Sequence, residues 1–236
     1  MKKQSIKPKK TILLFDIDRT LILSGGAGRI ATERAFEEVF GVSGVWGSTQ
    51  PDGKTDPAIS HEIAGKILKR RLQPGEYRRL CRKYYEHFRR EIPTSERFRL
   101  LPGVKKLLGR LSRRKDILLG LATGNFETTA WLKLRRGGLD HFFGFGGFAS
   151  DSADRPTLTR KALLRGTRRL GGKAFCAGVY VIGDSFHDIR AGRKAGAKTI
   201  AVATGSADRS RLERERPDHL FDDLTDARRF LGVLEK

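Results

Sequence analysis

The 236-residue sequence has few residues that could form covalent cross-links, and no long apolar run. It has two cysteines, Cys81 and Cys176. A single pair set among apolar or periodic residues forms neither a disulfide framework nor a zinc site by itself. No apolar run approaches the roughly 18 residues that are needed to span a bilayer. We therefore expect free thiols, a cytoplasmic location and no membrane association.

Acidic residues are scarce relative to basic ones. There are 27 Asp and Glu against 48 Lys and Arg, which gives a formal net charge of +21. Such an excess indicates a nucleic acid, an anionic surface or a small anionic substrate as partner. The arginines are spread over several predicted helices, so we interpret the charge as a property of the whole surface. The basic start "MKKQSIKPKK" is expected to be a solvated tail, because the apolar run after it is short and ends at Asp16.

Short apolar runs alternate with helical patterns along most of the chain. Strands are predicted at 11–15, 117–122, 144–149, 178–183 and 198–203, and helices at 104–114, 127–136, 157–170 and 185–196. A last helix is predicted to begin at Thr225 as its N-cap. Strands that are apolar throughout are covered on both faces, and their alternation with helices predicts an α/β fold with a parallel sheet.

The segment from Gly25 to Arg99 has helical patterns and no convincing strand. Its predicted helices span 28–41, 56–71 and 74–92. The second of them is predicted to be capped by Asp56, which precedes a proline. We interpret the segment as an insertion, so that residues 1–24 and 100–236 form the core and residues 25–99 form a helical domain.

Polar clusters stand at the ends of three predicted strands. They comprise, in chain order, Asp16, Asp18 and Thr20; Thr123, Gly124 and Asn125; and Asp184 and Asp188. Because the carboxyl ends of parallel strands share one edge of the sheet, these clusters should meet there. Four converging carboxylates repel one another, and a hard cation such as Mg²⁺ relieves the repulsion. At such a site one carboxylate can attack phosphorus while a second transfers a proton to the leaving oxygen.

The segments "FDIDRTL", "LATGN" and "VIGDSFHDIRAGRKAG" resemble motifs I, II and IV of the haloacid dehalogenase-like (HAD) hydrolase superfamily. With the helical insertion after motif I, the chain resembles the phosphoglycolate phosphatase-like branch over Thr11 to Thr204. The resemblance implies a Rossmann-like core with an inserted α-helical cap domain. It also implies Mg²⁺-dependent hydrolysis of a small phosphate monoester, such as a phosphoglycolate-like metabolite, through an aspartyl-phosphate.

The resemblance implies a role for each motif residue. Asp16 matches the nucleophile, Asp18 the general acid/base and Thr123 the hydroxyl that binds phosphate. Asp184 and Asp188 match the acidic pair of the metal site. Asp16 and Asp18 complete that site, and in the family the residue at the Asp18 position contributes its backbone carbonyl.

Motif III departs from the family pattern, which usually has a lysine ahead of a helix. Here Arg155 stands in the expected place and Lys161 follows inside the helix. We favour Arg155, because a loop arginine can reach the site whereas a lysine in mid-helix more often faces solvent. Arginine keeps the charge but has a different hydrogen-bonding geometry. The residues expected to contact the substrate are Thr20, Gly124, Asn125 and, in the insertion, Lys54.

Two alternatives remain open from the sequence. A phosphomutase of the same superfamily would share every catalytic residue. A nucleic-acid-binding protein on a hydrolase scaffold would account for the charge and for the aromatic and basic residues of the third insertion helix. We favour a phosphatase that acts on a small phosphorylated metabolite as a monomer or dimer, and we do not expect nucleic acid as a partner.

Overall fold

The computed structural model of the chain describes residues 9–234. A parallel sheet of six strands lies at its centre, in the order β5-β4-β1-β6-β7-β8. The six strands are β1 (Lys10–Phe15), β4 (Ile117–Ala122), β5 (Gly146–Gly147), β6 (Cys176–Gly183), β7 (Lys198–Val202) and β8 (His219–Phe221). Two short strands, β2 (Ile22–Ser24) and β3 (Phe98–Leu100), pair antiparallel with each other outside this sheet. The α/β class and the parallel Rossmann-like sheet are confirmed.

The helices cover both faces of the sheet. They are α1 (Ala27–Phe40), α2 (Asp56–Ile67), α3 (Pro74–Thr94), α4 (Val104–Ser112), α5 (Glu127–Gly137), α6 (Arg155–Leu170), α7 (Phe186–Lys194), α8 (Arg209–Arg214) and α9 (Ala227–Val233). Short 3₁₀ turns occupy Asp140–Phe142 and Lys173–Phe175. Within residues 9–234, no helix combines the length and the apolar character that crossing a membrane requires.

The apolar run of β1 is buried because its side chains alternate between two cores. Leu13 and Phe15 pack with residues of α4, α5 and α9, whereas Ile12 and Leu14 pack with residues of α6. Neighbouring strands β4 and β6 pair with β1 on its two edges. The central position of β1 therefore explains why its sequence is apolar throughout, and it carries the end of β1 into the middle of the sheet edge.

Helices α1 to α3 lie between β2 and β3 in the chain. They surround an apolar cluster of their own, which includes Phe36, Trp46, Ile63 and Leu80. Helix α3 also packs against α5 of the core, where Phe88 joins Ala27 and Ala31 of α1 in a second small cluster. The helical segment therefore has its own core, while β2 and β3 link it to the sheet.

Two predicted caps are wrong by one residue. Helix α2 is capped by Thr55, whose hydroxyl accepts a hydrogen bond from the Ala58 amide at 3.4 Å, so that Asp56 is the first helical residue. Helix α9 is capped by Asp226 and not by Thr225. In both places two adjacent residues are good N-caps, and the sequence pattern alone does not distinguish them.

The structure also contains three strands that were not predicted, namely β2, β3 and β8. Each has three residues and is too short to show a hydrophobic period. The strand predicted at 144–149 is reduced to Gly146–Gly147. The basic tail predicted at the start of the chain falls mostly on residues 1–8, outside the described residues.

Candidate active site

The carboxyl ends of β1, β4 and β6 lie side by side, because β1 is hydrogen-bonded to both other strands. Asp16 follows β1 and Asp184 follows β6, while Asp188 lies in the first turn of α7. One carboxylate oxygen from each of these three residues lies within 4.8 Å of the others. All three side chains are buried. We call this group the acidic cluster.

Arg155, the first residue of α6, inserts its guanidinium into the acidic cluster. Its Nη2 atom is 2.6 Å from Asp188 Oδ1 and 3.1 Å from Asp16 Oδ1. Its Nε is buried and has no hydrogen-bond partner within residues 9–234. By contrast, Lys161 is exposed and donates a hydrogen bond to the Asp151 carbonyl at 2.8 Å. Of the two motif III candidates, only Arg155 is placed in the site.

The acidic cluster holds more negative charge than Arg155 balances. Burial raises the pKa of Asp16 to about 7, against the opposing effect of Arg155 and with a further contribution from the negative charge of Asp188. Burial, together with Asp188 and Asp16, also raises the pKa of Asp184 well above its ordinary value. Three carboxylates beside one guanidinium leave two negative charges, which a divalent cation would neutralise. The donors are all oxygens, so the cluster fits a hard ion such as Mg²⁺.

A tight turn after Asp18 brings a further hydroxyl to the cluster. Arg19 adopts the left-handed backbone region, with φ of 59°. The Leu21 amide then returns to the Ile17 carbonyl at 2.9 Å. This turn places Thr20 Oγ1 3.1 Å from Asp184 Oδ1, to which it donates a hydrogen bond. Thr20 therefore orients a carboxylate of the cluster.

The Asp18 carboxylate does not join the acidic cluster, so the prediction that four carboxylates converge is wrong. Its Oδ2 atom accepts hydrogen bonds from Lys133 Nζ at 2.6 Å and from Asn125 Nδ2 at 2.8 Å. Burial would raise the pKa of Asp18, but Lys133 and these hydrogen bonds outweigh burial and lower it. Asp18 is therefore bonded to Lys133, whereas the acidic cluster is bonded to Arg155.

Lys133 was not predicted as a site residue. It lies on the buried face of α5, beside Thr129, Ala130 and Leu134, and is only 4% exposed. The spacing of these residues is that of the apolar side of a helix. A lysine at such a position needs a buried partner, because burying an unpaired charge is costly. This irregularity of the helical pattern is the signal that could have identified it.

The loop after β4 lies opposite the β1 turn. Thr123 is fully buried, and its hydroxyl accepts a hydrogen bond from Asn125 Nδ2 at 2.8 Å and also hydrogen-bonds the Asp16 carboxylate. Gly124 is in close contact with the helical segment, since a Cβ at this position would lie 2.5 Å from the Lys54 carbonyl oxygen. Residues 123–125 therefore connect Asp16, Asp18 and the helical segment.

The loop before α2 covers the edge of the sheet. Its Gly53 carbonyl accepts a hydrogen bond from Arg155 Nη1 at 3.1 Å. Thr55 Oγ1 donates to the Ala153 carbonyl at 2.9 Å, and the Asp56 amide donates to the Gly124 carbonyl at 2.7 Å. The chain around residues 53–56 is thus bonded to the core by several polar contacts.

A cavity of about 560 Å³ lies between the helical segment and the sheet edge. Asp16, Asp18 and Arg155 line its core side. The rest of the lining mixes apolar residues such as Phe36, Trp46 and Leu80 with the acidic Asp52 and Asp56 and with six cationic residues, namely Arg19, Arg29, Lys54, Arg97, Arg99 and Lys133. Lys54 Nζ is paired with Glu62, so it contributes to the wall without being a free cation. The volume suits a small molecule, and the lining suits an anionic one.

Residues 157–227 match the family model described as HAD-hydrolase-like. A phosphoglycolate phosphatase from Mesorhizobium japonicum is 27% identical over 235 residues, which cover 92% of this chain and 93% of that protein. The pyrophosphatase PpaX from Bacillus cereus is 29% identical over 114 residues, which cover 48% of this chain and 51% of that protein. The crystal structure of a predicted phosphoglycolate phosphatase from Haemophilus somnus superposes with a TM-score of 0.68 at 20% identity, covering 98% of this chain and 99% of that chain.

The motifs, the family match, the curated relatives and the fold agree with one another. In the sequence of residues 157–227, in its curated relatives and in its fold, the chain is similar to haloacid dehalogenase-like hydrolases of the phosphoglycolate phosphatase-like branch, and these likenesses support an enzyme of the hydrolase class.

Proposed function

We propose that this enzyme is a Mg²⁺-dependent phosphatase that hydrolyses a small phosphate monoester through an aspartyl-phosphate on Asp16. The observation that carries the proposal is the acidic cluster with its inserted arginine at the end of the central strand. Asp16, Asp184 and Asp188 would hold the cation, and the Asp18 backbone carbonyl would complete the set as the resemblance implies. Bound there, Mg²⁺ would neutralise charge on the phosphoryl oxygens.

Asp16 is the proposed nucleophile. Its carboxylate is oriented by Arg155 and hydrogen-bonded by Thr123, and it lines the cavity. Attack on phosphorus forms the bond between the Asp16 oxygen and phosphorus and breaks the bond between phosphorus and the ester oxygen. The positive charge of Arg155 offsets the negative charge that builds up on the phosphoryl oxygens.

Asp18 is the proposed general acid and base. It also lines the cavity, and it stands two residues beyond the nucleophile but outside the acidic cluster. Asp18 rests as a carboxylate, because Lys133 and its hydrogen bonds lower its pKa, and it would carry a proton only within the catalytic cycle. It would take that proton from the water that hydrolyses the aspartyl-phosphate and give it to the departing ester oxygen of the next substrate. Its separation from the cation donors supports this division of roles.

Residues 25–99 are proposed to act as a cap over the core, formed by residues 1–24 and 100–236. The polar contacts around Gly53 and Thr55 close the cavity on one side, which supports exclusion of water during phosphoryl transfer. Lys54, Gly124 and Asn125 line the cavity and are proposed substrate contacts. Thr20, which was also predicted to contact the substrate, is fully buried outside the cavity lining and bonds Asp184 instead. The arginines of the cavity wall would select an anionic substrate, whose identity the residues do not specify.

The proposal is tested by screening phosphorylated metabolites for release of inorganic phosphate, with Mg²⁺ and with EDTA. We expect phosphate release with Mg²⁺ only, and none from Asp16→Asn. The matched control is Asp116→Asn, since Asp116 is a half-exposed carboxylate paired with Arg114. Mg²⁺-independent release, or full activity of Asp16→Asn, would contradict the mechanism. Conversion of a sugar phosphate to its isomer without phosphate release would favour a phosphomutase instead.

A further inference from the structure

Lys133 is a buried cation for which the proposed phosphoryl transfer has no role. It projects from the middle of α5 toward the cavity and is 4% exposed. Its ammonium is bonded to Asp18 Oδ2 at 2.6 Å and to the side-chain carbonyl of Asn125. Removing an ammonium from water is costly, and these partners must offset that cost. The burial of this charge therefore indicates a specific role for Lys133.

The surroundings of Lys133 come from three parts of the chain. Asp18 follows β1 and Asn125 follows β4, while Phe88 of α3 places its ring centroid 5.6 Å from Nζ. The Lys133 charge also lowers the pKa of Asp56, although burial has the larger effect and raises that pKa overall to about 6. Lys133 is therefore held in one position by packing and charge, as required of a group that orients another.

Both side-chain hydrogen bonds that the Asp18 carboxylate accepts end on the same one of its two oxygens. Lys133 and Asn125 both donate to Oδ2, and the Asp18 side chain remains 37% exposed toward the cavity. Asp18 lies only two residues from Asp16, so without these anchors its carboxylate could turn toward the cation donors. Anchoring through one oxygen keeps the carboxylate away from the acidic cluster and leaves it accessible to a bound ester.

We propose that Lys133 is a positioning residue, which holds Asp18 in the orientation from which it passes its proton to the leaving group. The proposal rests on the function proposed above and goes beyond it, because none of the three motifs contains this lysine. Asn125 supports the same carboxylate, but it is neutral and also donates to Thr123. Lys133 supplies the only charged donor to Asp18 among the described residues.

The test compares two substrates in Lys133→Met, which keeps much of the apolar stem and removes the ammonium. An alkyl phosphate from the screen has a poor leaving group that needs a proton, whereas 4-nitrophenyl phosphate has a good one that does not. The quantity measured is kcat/KM with saturating Mg²⁺, because it reports the steps up to departure of the leaving group. We expect a loss of about 100-fold or more for the alkyl phosphate and of less than about fivefold for 4-nitrophenyl phosphate.

The matched control is Lys106→Met, an exposed lysine of α4, which should leave both values unchanged. Equal losses for the two substrates in Lys133→Met, or no loss for either, would overturn the proposal. If wild-type enzyme hydrolyses neither substrate with Mg²⁺, the proposed function fails instead, and the two failures are thus distinguished.

A double-mutant cycle tests whether Lys133 acts through Asp18, and it also covers the case in which Lys133→Met does not fold. The variant with both Lys133→Met and Asp18→Asn has no unpaired buried charge at this position. If Lys133 acts only through Asp18, the double variant should match Asp18→Asn in kcat/KM for both substrates within about twofold. A further tenfold loss in the double variant would show a different role and would overturn the proposal.

Discussion

Replacing Asp16 with asparagine is expected to stabilise the metal-free protein while abolishing its activity. Asp16 is 5% exposed, and the burial that holds it beside the substrate cavity also opposes its negative charge. Asparagine has nearly the same shape and can still accept a hydrogen bond from Arg155. The substitution therefore removes the charge from the acidic cluster without opening a void, and it also removes the proposed nucleophile.

The magnitude follows from the change in the pKa of Asp16 on folding. Burial raises this pKa from 3.8 to about 7, which corresponds to roughly 4 kcal/mol of stability lost once the group is ionised. Because the folded-state pKa is the higher one, the native protein binds the extra proton between about pH 4 and pH 7, and its stability falls as the pH rises through that window. The amide that replaces the carboxyl group does not titrate in this range. The variant should therefore be roughly 4 kcal/mol more stable than wild type at pH 8 and equally stable near pH 4.

The assay is urea unfolding followed by circular dichroism, in EDTA, at several pH values between 4 and 8. Adding Mg²⁺ should reduce the difference in unfolding free energy between Asp16→Asn and wild type. A ligand that binds only the native state stabilises it, and the wild-type cluster keeps all three carboxylates for the cation. Asp116→Asn is the control, since hydrogen bonds from Arg114 lower the pKa of that half-exposed carboxylate. A difference between Asp16→Asn and wild type that does not depend on pH, or a variant less stable than wild type at pH 8, would refute the electrostatic account of the cluster.

Three further predictions concern other charges around the cavity. Arg155→Met should destabilise the metal-free protein by about 3–5 kcal/mol in urea unfolding at pH 8, because it leaves the carboxylates of the acidic cluster unpaired. Arg155→Lys should lose less unfolding free energy than Arg155→Met, and equal losses in the two variants would contradict this account. Asp56→Asn should keep the hydrogen bond from the Phe126 amide and raise stability by about 3 kcal/mol above pH 7, because burial raises the pKa of this group from 3.8 to about 6. A gain in stability that persists below pH 4 would contradict this assignment. Arg97→Gln and Arg99→Gln should raise KM severalfold for substrates with a second anionic group and leave kcat within about twofold. An equal change for phenyl phosphate, which has no second anionic group, would show that these arginines do not recognise that group.

Much of the core was predictable because its strands are long and apolar. The buried runs of β1, β4, β6 and β7 were predicted to within two residues at each end. Their parallel arrangement followed from the alternation with helices. The strands of three residues escaped prediction because their pairing depends on chain segments that meet only in the folded protein. β2 and β3, for example, pair across the whole helical segment.

The site was predictable where it depends on strand ends, and less so where it depends on side-chain orientation. Asp16, Asp184 and Asp188 meet as the parallel topology requires. The orientation of Asp18 was not predictable, because it is set by Lys133, a residue 115 positions away in the chain. A turn sequence shows that a carboxylate is present at a strand end, but its partners come from helices that are distant in the chain and pack against the same edge of the sheet.

Arg155 also shows why a basic residue at motif III can do more than balance charge. Its two terminal nitrogens reach different partners, with Nη2 on the acidic cluster and Nη1 on the Gly53 carbonyl of the loop before α2. A lysine has a single ammonium on a flexible stem and lacks the planar fork that spans the two. The arginine thus connects the loop that covers the cavity to the carboxylates beneath it.

The positive net charge of the protein and the negative charge of the acidic cluster at the base of the cavity have opposite effects on an anionic substrate. The acidic cluster is negative and would by itself repel an anionic substrate, and Arg155 balances only one of its three carboxylates. Arginines of the cavity wall, such as Arg97 and Arg99, carry positive charge that opposes this repulsion. The net charge of +21 acts in the same direction over a longer range. A surface of this kind favours encounter with small phosphorylated compounds without requiring a nucleic-acid groove, because the attraction need only bring the phosphate to the mouth of the cavity.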